Sequence, residues 1–392
     1  MKFNRQTNIS REGWYYLLVV ILVFGGAMLR EVNLLLMLAG MLAGPLLFSW
    51  RIVRLSLRGL VVERKVPHGV CAGDLLVASV HLKNTRRRFG SWGVVVEEQI
   101  QREGSGRRER AIRPNVLYPY VRAGESRKGG YRGRLVRRGL YRLGPMRVST
   151  RFPFGLLCRT ITTDETATLT VLPRQGQLTQ RWSARRREAF AGAHRRERRH
   201  GLEGDFFGTR EWRSGDSRRW IHWRSSARRG ALVVRQFEQP RNQDLALLVD
   251  LWQPKKPAPE QLDNVELAVS FAATVVADLC RKGGSNLWLG TTGQETQAMR
   301  GPTSAILLND AMQHLALAEA HRDDGLPELL KTALTEIDPG TEVVLVSTRP
   351  VDLADTERFA ALWSDPNSRS LVRRIRCIDT SSEELDDYFQ VE

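Results

Sequence analysis

The sequence predicts a multidomain chain: an N-terminal transmembrane helical hairpin, a small antiparallel β-sandwich domain, and a doubly wound α/β domain. Three observations predict it. Two long apolar runs fill roughly the first fifty residues. Short β-rich runs without a helical stripe follow to about residue 175. Beyond about residue 243, apolar strands alternate with amphipathic helices. The predicted limits are 1–59 for the hairpin, 60–175 for the β domain, 176–242 for a basic linker carrying a distinctive motif, and 243–392 for the α/β domain.

The hairpin rests on helices expected at about 14–29 and 32–50. The run from Trp14 to Leu29 carries no charge, and after Arg30 and Glu31 a second apolar run continues from Val32 to Trp50. Each is near the lower end of the ~20 residues needed to cross the hydrocarbon layer. Trp14, Tyr15, Tyr16 and Trp50 stand where interfacial rings belong, and Pro45 is a potential kink. Lys2, Arg5 and Arg11 precede the pair; Arg51, Arg54, Arg58, Arg64 and Lys65 follow it. By the positive-inside rule both ends are cytoplasmic. The expected location is the inner or plasma membrane, two-pass, with the N-terminus and the soluble domains in the cytoplasm.

In the β domain, residues 75–84, 93–100, 126–150 and 167–173 are β-formers punctuated by glycine and asparagine. Gly139 and Gly144 bracket a short strand, and Pro153 and Gly155 form a turn with Phe152 and Phe154 as expected core anchors. Nothing there offers a nucleophile beside a base.

Residues 181–200 are arginine-rich and expected to be exposed. From Gly201 the glycines at 201, 204, 208 and 215 and the Ser-Gly-Asp at 214–216 signal turns, and 231–237 reads as a strand. Three roles suit this stretch. Arginines on phosphates with tryptophans on bases would make a nucleic-acid surface, but no recognisable module accompanies them. His222 with Asp216 or Glu211 would make a base and its orienter, but no nucleophile elbow is nearby. The favoured role is structural and docking. Arg210, Arg218, Arg224 and Arg228 then pair with Glu211, Asp216 or backbone carbonyls, and Trp212, Trp220 and Trp223 pack between domains.

The α/β domain is expected from strands at 244–252, 286–291, 341–348 and 372–380 and helices at 262–283, 302–320, 326–337 and 354–363. In a doubly wound sheet ligands bind beyond the carboxyl ends of the strands, which is where Asp250 falls. No G-x-G-x-x-G follows it, and no phosphate-loop motif occurs. The residues after Asp250 are Leu251, Trp252, Gln253 and Pro254, which supply no side-chain carboxylate for a hard cation.

Composition narrows the classes. Sixty Lys and Arg against 43 Asp and Glu give +17, concentrated in arginine runs between residues 84 and 241. That balance favours anionic partners without defining a fold. The cysteines at 71, 158, 280 and 377 form no C-x-x-C pair, and His68 near Cys71 has no further ligands beside it, which speaks against metal fingers and disulfide scaffolds.

The stretch 204–238, with Gly208–Arg210, Gly215–Asp216, Arg219, Ile221, Trp223 and the Ser226–Ala227–Arg228 run, resembles the hallmark of the domain of unknown function 58 family. These are membrane-attached bacterial proteins often encoded beside MoxR-type AAA+ ATPases. The hairpin and the stretch 137–157 resemble the same family, although Phe152 replaces the acid of its usual turn, and the resemblance extends over the chain. It implies a C-terminal domain similar to a von Willebrand factor A domain, often with an Asp-x-Ser-x-Ser metal motif. Asp250 holds the aspartate position, but Trp252 and Pro254 replace the serines, so the resemblance implies a degenerate copy without metal. The combined expectation is a non-enzymatic membrane scaffold or adaptor with no cofactor. Its partners are the bilayer, a MoxR-type ATPase and other membrane proteins, with no specific nucleic acid. A magnesium-dependent adhesion module retaining Asp250 is the main alternative.

Overall fold

A computed structural model describes residues 3–30, 33–67, 69–104, 110–186, 206–214, 216–237, 244–293, 296–338, 340–364, 369 and 372–391. His68, Gly201, Gly204, Gly215 and the basic run from 187 to 200 lie outside the described residues. The chain divides into two compact units, residues 1–172 and 173–392.

The first unit opens with strand β1 (Phe3–Ile9), then helices α1 (Arg11–Arg30) and α2 (Asn33–Ser56). Both helices are long and apolar enough to cross a membrane, and most of their surface is exposed. They outrun the expected 14–29 and 32–50 because helix geometry continues through the polar ends where the apolar pattern stops. The residues ahead of α1, expected only as a charged flank, pair as β1 with a later strand.

Nine further strands follow: β2 (Leu60–Lys65), β3 (Val70–Cys71), β4 (Leu75–Asn84), β5 (Ser91–Arg102), β6 (Asn115–Val121), β7 (Ser126–Arg134), β8 (Gly139–Thr150), β9 (Leu157–Thr163) and β10 (Ala167–Leu172). One sheet runs β1-β9-β8-β10-β3, with β5 pairing β8 and β6 pairing β5; a second runs β2-β4-β7. Pairing is antiparallel except between β3 and β10. Alternate residues of β4 (Val80, Leu82), β5 (Val94, Val96) and β8 (Met146, Val148) point into one core that the two sheets share. Inside this unit Glu98 is buried, ion-paired to Arg64 and accepting from the Tyr131 hydroxyl at 2.6 Å. Burial and the Glu98 charge push the Tyr131 phenol far above its usual range. The short strand expected between Gly139 and Gly144 is the beginning of the twelve-residue β8. Phe152 and Phe154 are not core anchors: Phe152 is half-buried and Phe154 is exposed.

The second unit begins with strand β11 (Gln177–Leu178), which pairs with the C-terminal β19 (Phe389–Gln390). Trp182 is fully buried edge-on to Phe271 and Tyr388. Residues 177–186, expected as the start of the basic linker and exposed from 181, are therefore part of the folded unit, because strand pairing and one tryptophan anchor them. Between the termini come β12 (Phe206–Glu211), α3 (Trp223–Arg229), β13 (Val233–Phe237), β14 (Leu245–Asp250), α4 (Pro259–Lys282), β15 (Asn286–Thr291), β16 (Gln297–Pro302), α5 (Ala305–Leu317), α6 (Leu326–Glu336), β17 (Glu342–Ser347), α7 (Ala360–Ser364) and β18 (Arg376–Asp379).

The main sheet has the order β16-β15-β14-β17-β18. Every pair is parallel except the edge strand β16. All six residues of β14 are buried, as a central parallel strand covered on both faces requires. Ala246 and Leu248 pack on α6 through Leu326, Leu329, Leu330 and Ala333. Two expectations fail here. Residues 297–302 form β16 ahead of a helix that starts at Ala305, where Ser304 accepts from the Leu307 amide. Of the helix expected at 354–363 only Ala360–Ser364 forms.

Candidate functional site

Two arrangements in the second unit carry polar chemistry. The first is built on the antiparallel pair β12 and β13, with α3 in the connection. The Arg210 guanidinium grips Asp216 with both arms, at 2.6 Å and 2.7 Å, and the Arg213 amide donates to the same carboxylate at 2.9 Å. The bonds from Arg210 and then from the Arg213 amide hold the Asp216 carboxyl down at about 2. Arg210 also donates to the Glu211 carbonyl at 3.0 Å.

His222 caps α3. Its Nδ1 accepts from the Ser225 amide at 3.2 Å, and its own amide donates to the Val233 carbonyl at 2.8 Å. The Ser226 hydroxyl is buried and accepts from the Val233 amide at 2.9 Å, which ties α3 to β13. Gly230 ends the helix at φ 68°, a conformation that favours glycine. The Ser-Ser-Ala-Arg run is thus helix-stop and tether chemistry. Asp216 is engaged by Arg210 and the Arg213 amide, and the His222 ring is engaged at Nδ1 as the cap of α3.

The outer side of this element is a different matter. Trp223 is 68% exposed and Trp212 37%, with Leu232 also open to solvent. Trp220, in a single 3-10 turn with Arg218 and Arg219, is half-buried. Arg218, Arg219, Arg224 and Arg228 are exposed and form no ion pair among the described residues. Of the arginines expected to pair with Glu211, Asp216 or backbone carbonyls, Arg210 is the one that holds Asp216, and it also donates to the Glu211 carbonyl. Trp223 presents its ring outward from this element.

The second arrangement lies at the carboxyl ends of β14, β15 and β17. Asp250 is 1% exposed. It accepts from the hydroxyls of Thr292 at 3.2 Å and Ser347 at 3.1 Å, and from Arg349 Nε at 3.2 Å. Arg349 continues to Asp324 at 2.5 Å, and Arg358 meets that same carboxylate at 2.6 Å and 2.8 Å. Burial raises the Asp324 carboxyl, but the Arg358 and Arg349 bonds outweigh it and leave the group below its usual range. The Arg349 guanidinium lies 4.9 Å from the Trp252 ring centroid, a cation–π contact.

The donor set around Asp250 (a carboxylate and two hydroxyls) is one that suits a hard cation. A guanidinium stands against the carboxylate instead, so the residues present do not leave it open to a divalent ion. Among the described residues no group of three or more His, Cys, Asp and Glu is placed to hold a metal. Thr292, Ser347 and Arg349 escaped the sequence reading because they lie 42 to 99 positions from Asp250, and Asp324 because it lies 25 positions from Arg349. The faint signal was a polar residue closing each buried strand.

Residues 208–339 match the DUF58 family model, described as a protein of unknown function. The DUF58 segment thus runs from β12 to the end of α6 and contains both Arg210 and Asp250, whereas Ser347 and Arg349 follow it. Over 266 residues the chain is 25% identical to the uncharacterized protein YeaD of Bacillus subtilis, covering 67% of this chain and 63% of that protein. The match spans under two thirds of that relative's length. Among solved structures, a CARDB domain from Pyrococcus furiosus aligns with 29% of this chain and 87% of its own, at 18% identity and a TM-score of 0.20. The sporulation control protein Spo0M of Bacillus subtilis aligns with 40% and 58%, at 9% identity and a TM-score of 0.19. Likenesses this slight bear on neither fold nor function.

Proposed function

We propose that the protein is a membrane-anchored, non-enzymatic scaffold or adaptor. Its β-sandwich and A-type α/β domains stand on the cytoplasmic face of the inner or plasma membrane, carried by a two-pass hairpin with a cytoplasmic N-terminus. A MoxR-type AAA+ ATPase is the expected partner, acting in the assembly or maturation of membrane or envelope complexes. The observation that carries the reading is the hairpin of residues 206–237. Its internal polar groups are spent on holding it together, while Trp223, Trp212 and arginines that form no ion pair among the described residues face outward. A pre-ordered aromatic and arginine surface has the composition of a binding hot spot, and the two exposed apolar helices account for the anchor.

The test is a crosslinked pull-down from native membranes in mild detergent, comparing the wild type with Trp223→Ala and with Arg218→Ala/Arg228→Ala. Loss of an ATPase partner with unchanged protease resistance supports the proposal. Unchanged capture by all variants refutes this surface as the docking site.

A second reading, magnesium-dependent adhesion through Asp250, draws on the carboxylate and two hydroxyls at that edge. Arg349 weighs against it by supplying the positive charge itself. Calorimetric magnesium uptake that disappears in Asp250→Asn would reinstate the metal.

A further inference from the structure

Two segments of the first unit, the turn after β4 with the first residues of β5 and the turn after β8, hold aromatic rings out beside the membrane helices, and neither the core nor the docking surface uses them. The first follows β4. Arg86 turns inward there, its NH1 donating to the Leu55 carbonyl at 2.6 Å and its NH2 to the Ser56 carbonyl at 3.2 Å. It thereby satisfies open carbonyls at the α2 C-terminus. Arg87 and Arg88, the next two residues, are exposed.

The second loop, residues 151–156, is fastened to the start of α1. The Ser10 hydroxyl contacts the carbonyls of Gly155 and Leu156 at 2.6 Å and 2.8 Å, and its amide donates to Leu156 at 3.0 Å. Gly13 lies so close to the same carbonyl that a Cβ would collide with it. At the loop tip Phe154 is 55% exposed, its ring 6.4 Å from that of Phe48 in α2. Phe152 lies stacked at 5.6 Å on Trp92, a second exposed ring.

The level of these rings follows from α2. Its apolar run ends at Trp50, and the Arg54 guanidinium sits 4.3 Å over that ring. Tryptophan with arginine marks the headgroup boundary of a spanning helix. Phe48 is two residues inside this mark, about 3 Å at 1.5 Å per residue. Phe154, against Phe48, shares its depth.

We propose that these loops form a collar that seats the first unit on the bilayer. Trp92 and Phe154 enter the boundary between headgroups and acyl chains, and Arg87, Arg88 and Arg151 face lipid phosphates. The inference rests on α1 and α2 spanning the membrane. The occupant is lipid because the rings continue the apolar surface of α2 and the exposed charges beside them are mainly cationic, Arg87, Arg88, Arg151 and Arg11, with the exposed carboxylate of Glu12 in the neighbourhood of the last two. The opposite end of the unit sets the contrast. Val136, 79% exposed, precedes β8, whose twelve residues carry the chain roughly 40 Å before it reaches the 151–156 loop.

The experiment places the photoreactive benzoylphenylalanine at position 154, 92, 136 or 41 of the full chain. Each variant is reconstituted in vesicles of phosphatidylethanolamine and phosphatidylglycerol, and lipid adducts are counted by mass spectrometry. Met41, mid-helix and 78% exposed, reports on the anchor itself. The collar predicts adducts at 154 and 92 at least five-fold above those at 136, with strong labelling at 41. Labelling at 154 and 92 no higher than at 136, while 41 labels, overturns the collar and leaves the anchor standing. Failure at 41 removes the anchor and the collar with it.

Discussion

Arg210 grips Asp216 on an exposed hairpin; Arg349 reaches Asp250 where three strand ends are sealed from water. The chemistry is the same and the surroundings are not. On the hairpin the arms of Arg210 are one third exposed, and an ion pair in that setting is screened and contributes modestly to stability. At the strand ends Asp250 is 1% exposed and its partners include two hydroxyls. A charge held there cannot lose its partner cheaply, since the interior offers no water in exchange. Arginine content alone therefore says nothing about role. Burial of the carboxylate decides whether the pair is a support of the fold or a brace beneath a surface.

The largest test of this contrast removes the buried carboxylate. Asp250→Ala leaves Arg349 without its buried anion and is expected to cost about 3–5 kcal/mol, read by pulse proteolysis of the full chain in detergent. A loss below about 1 kcal/mol, the exposed-pair range, would erase the distinction. Next comes the tether on the hairpin. Ser226→Ala strands the buried Val233 amide and is expected to cost about 1–3 kcal/mol locally, visible as faster hydrogen exchange in β13 with the main sheet unchanged. Faster exchange across both elements would mean the hairpin is not a separate unit of stability.

The pH response is smaller and has a defined sign. The folded Asp216 carboxyl is depressed to about 2 from an ordinary value of 3.8. Its contribution is present above pH 4 and is lost as pH falls through about 2. Exchange of residues 206–214 should therefore rise between pH 4 and pH 2, and Asp216→Asn should flatten that rise. The smallest expected effect on folding belongs to Trp223→Ala, within about 0.5 kcal/mol as for an ordinary surface change, although it is expected to abolish partner capture. A destabilisation several times larger would make Trp223 a packing residue.

Much of this was legible along the chain. The charge-free run from Trp14 to Leu29 and the stretch to Trp50 declare two apolar helices, because length and hydropathy are local properties. The buried run 245–250 and the alternation after it declare a sheet covered on both faces. The strand at 231–237 could be located, but not the cap and stop that His222 and Gly230 give α3. The edge strand β16 was not legible: Gln297–Pro302 is half-polar, and only pairing with β15 makes it a strand.

By itself the sequence determined where apolar surface is concentrated and which segment resembles the DUF58 family, since each depends on residues close to one another along the chain. Only the tertiary structure decided which arginine takes which aspartate. Arg210 claims Asp216 ahead of Arg218 because the β12–β13 hairpin aims it there, and Arg349 meets Asp250 because parallel pairing brings the ends of β14 and β17 side by side. The second pairing joins residues 99 positions apart and is set by packing of distant strands, and no local spacing encodes it; the first joins residues six apart, where spacing allows the pair but the hairpin's geometry selects it.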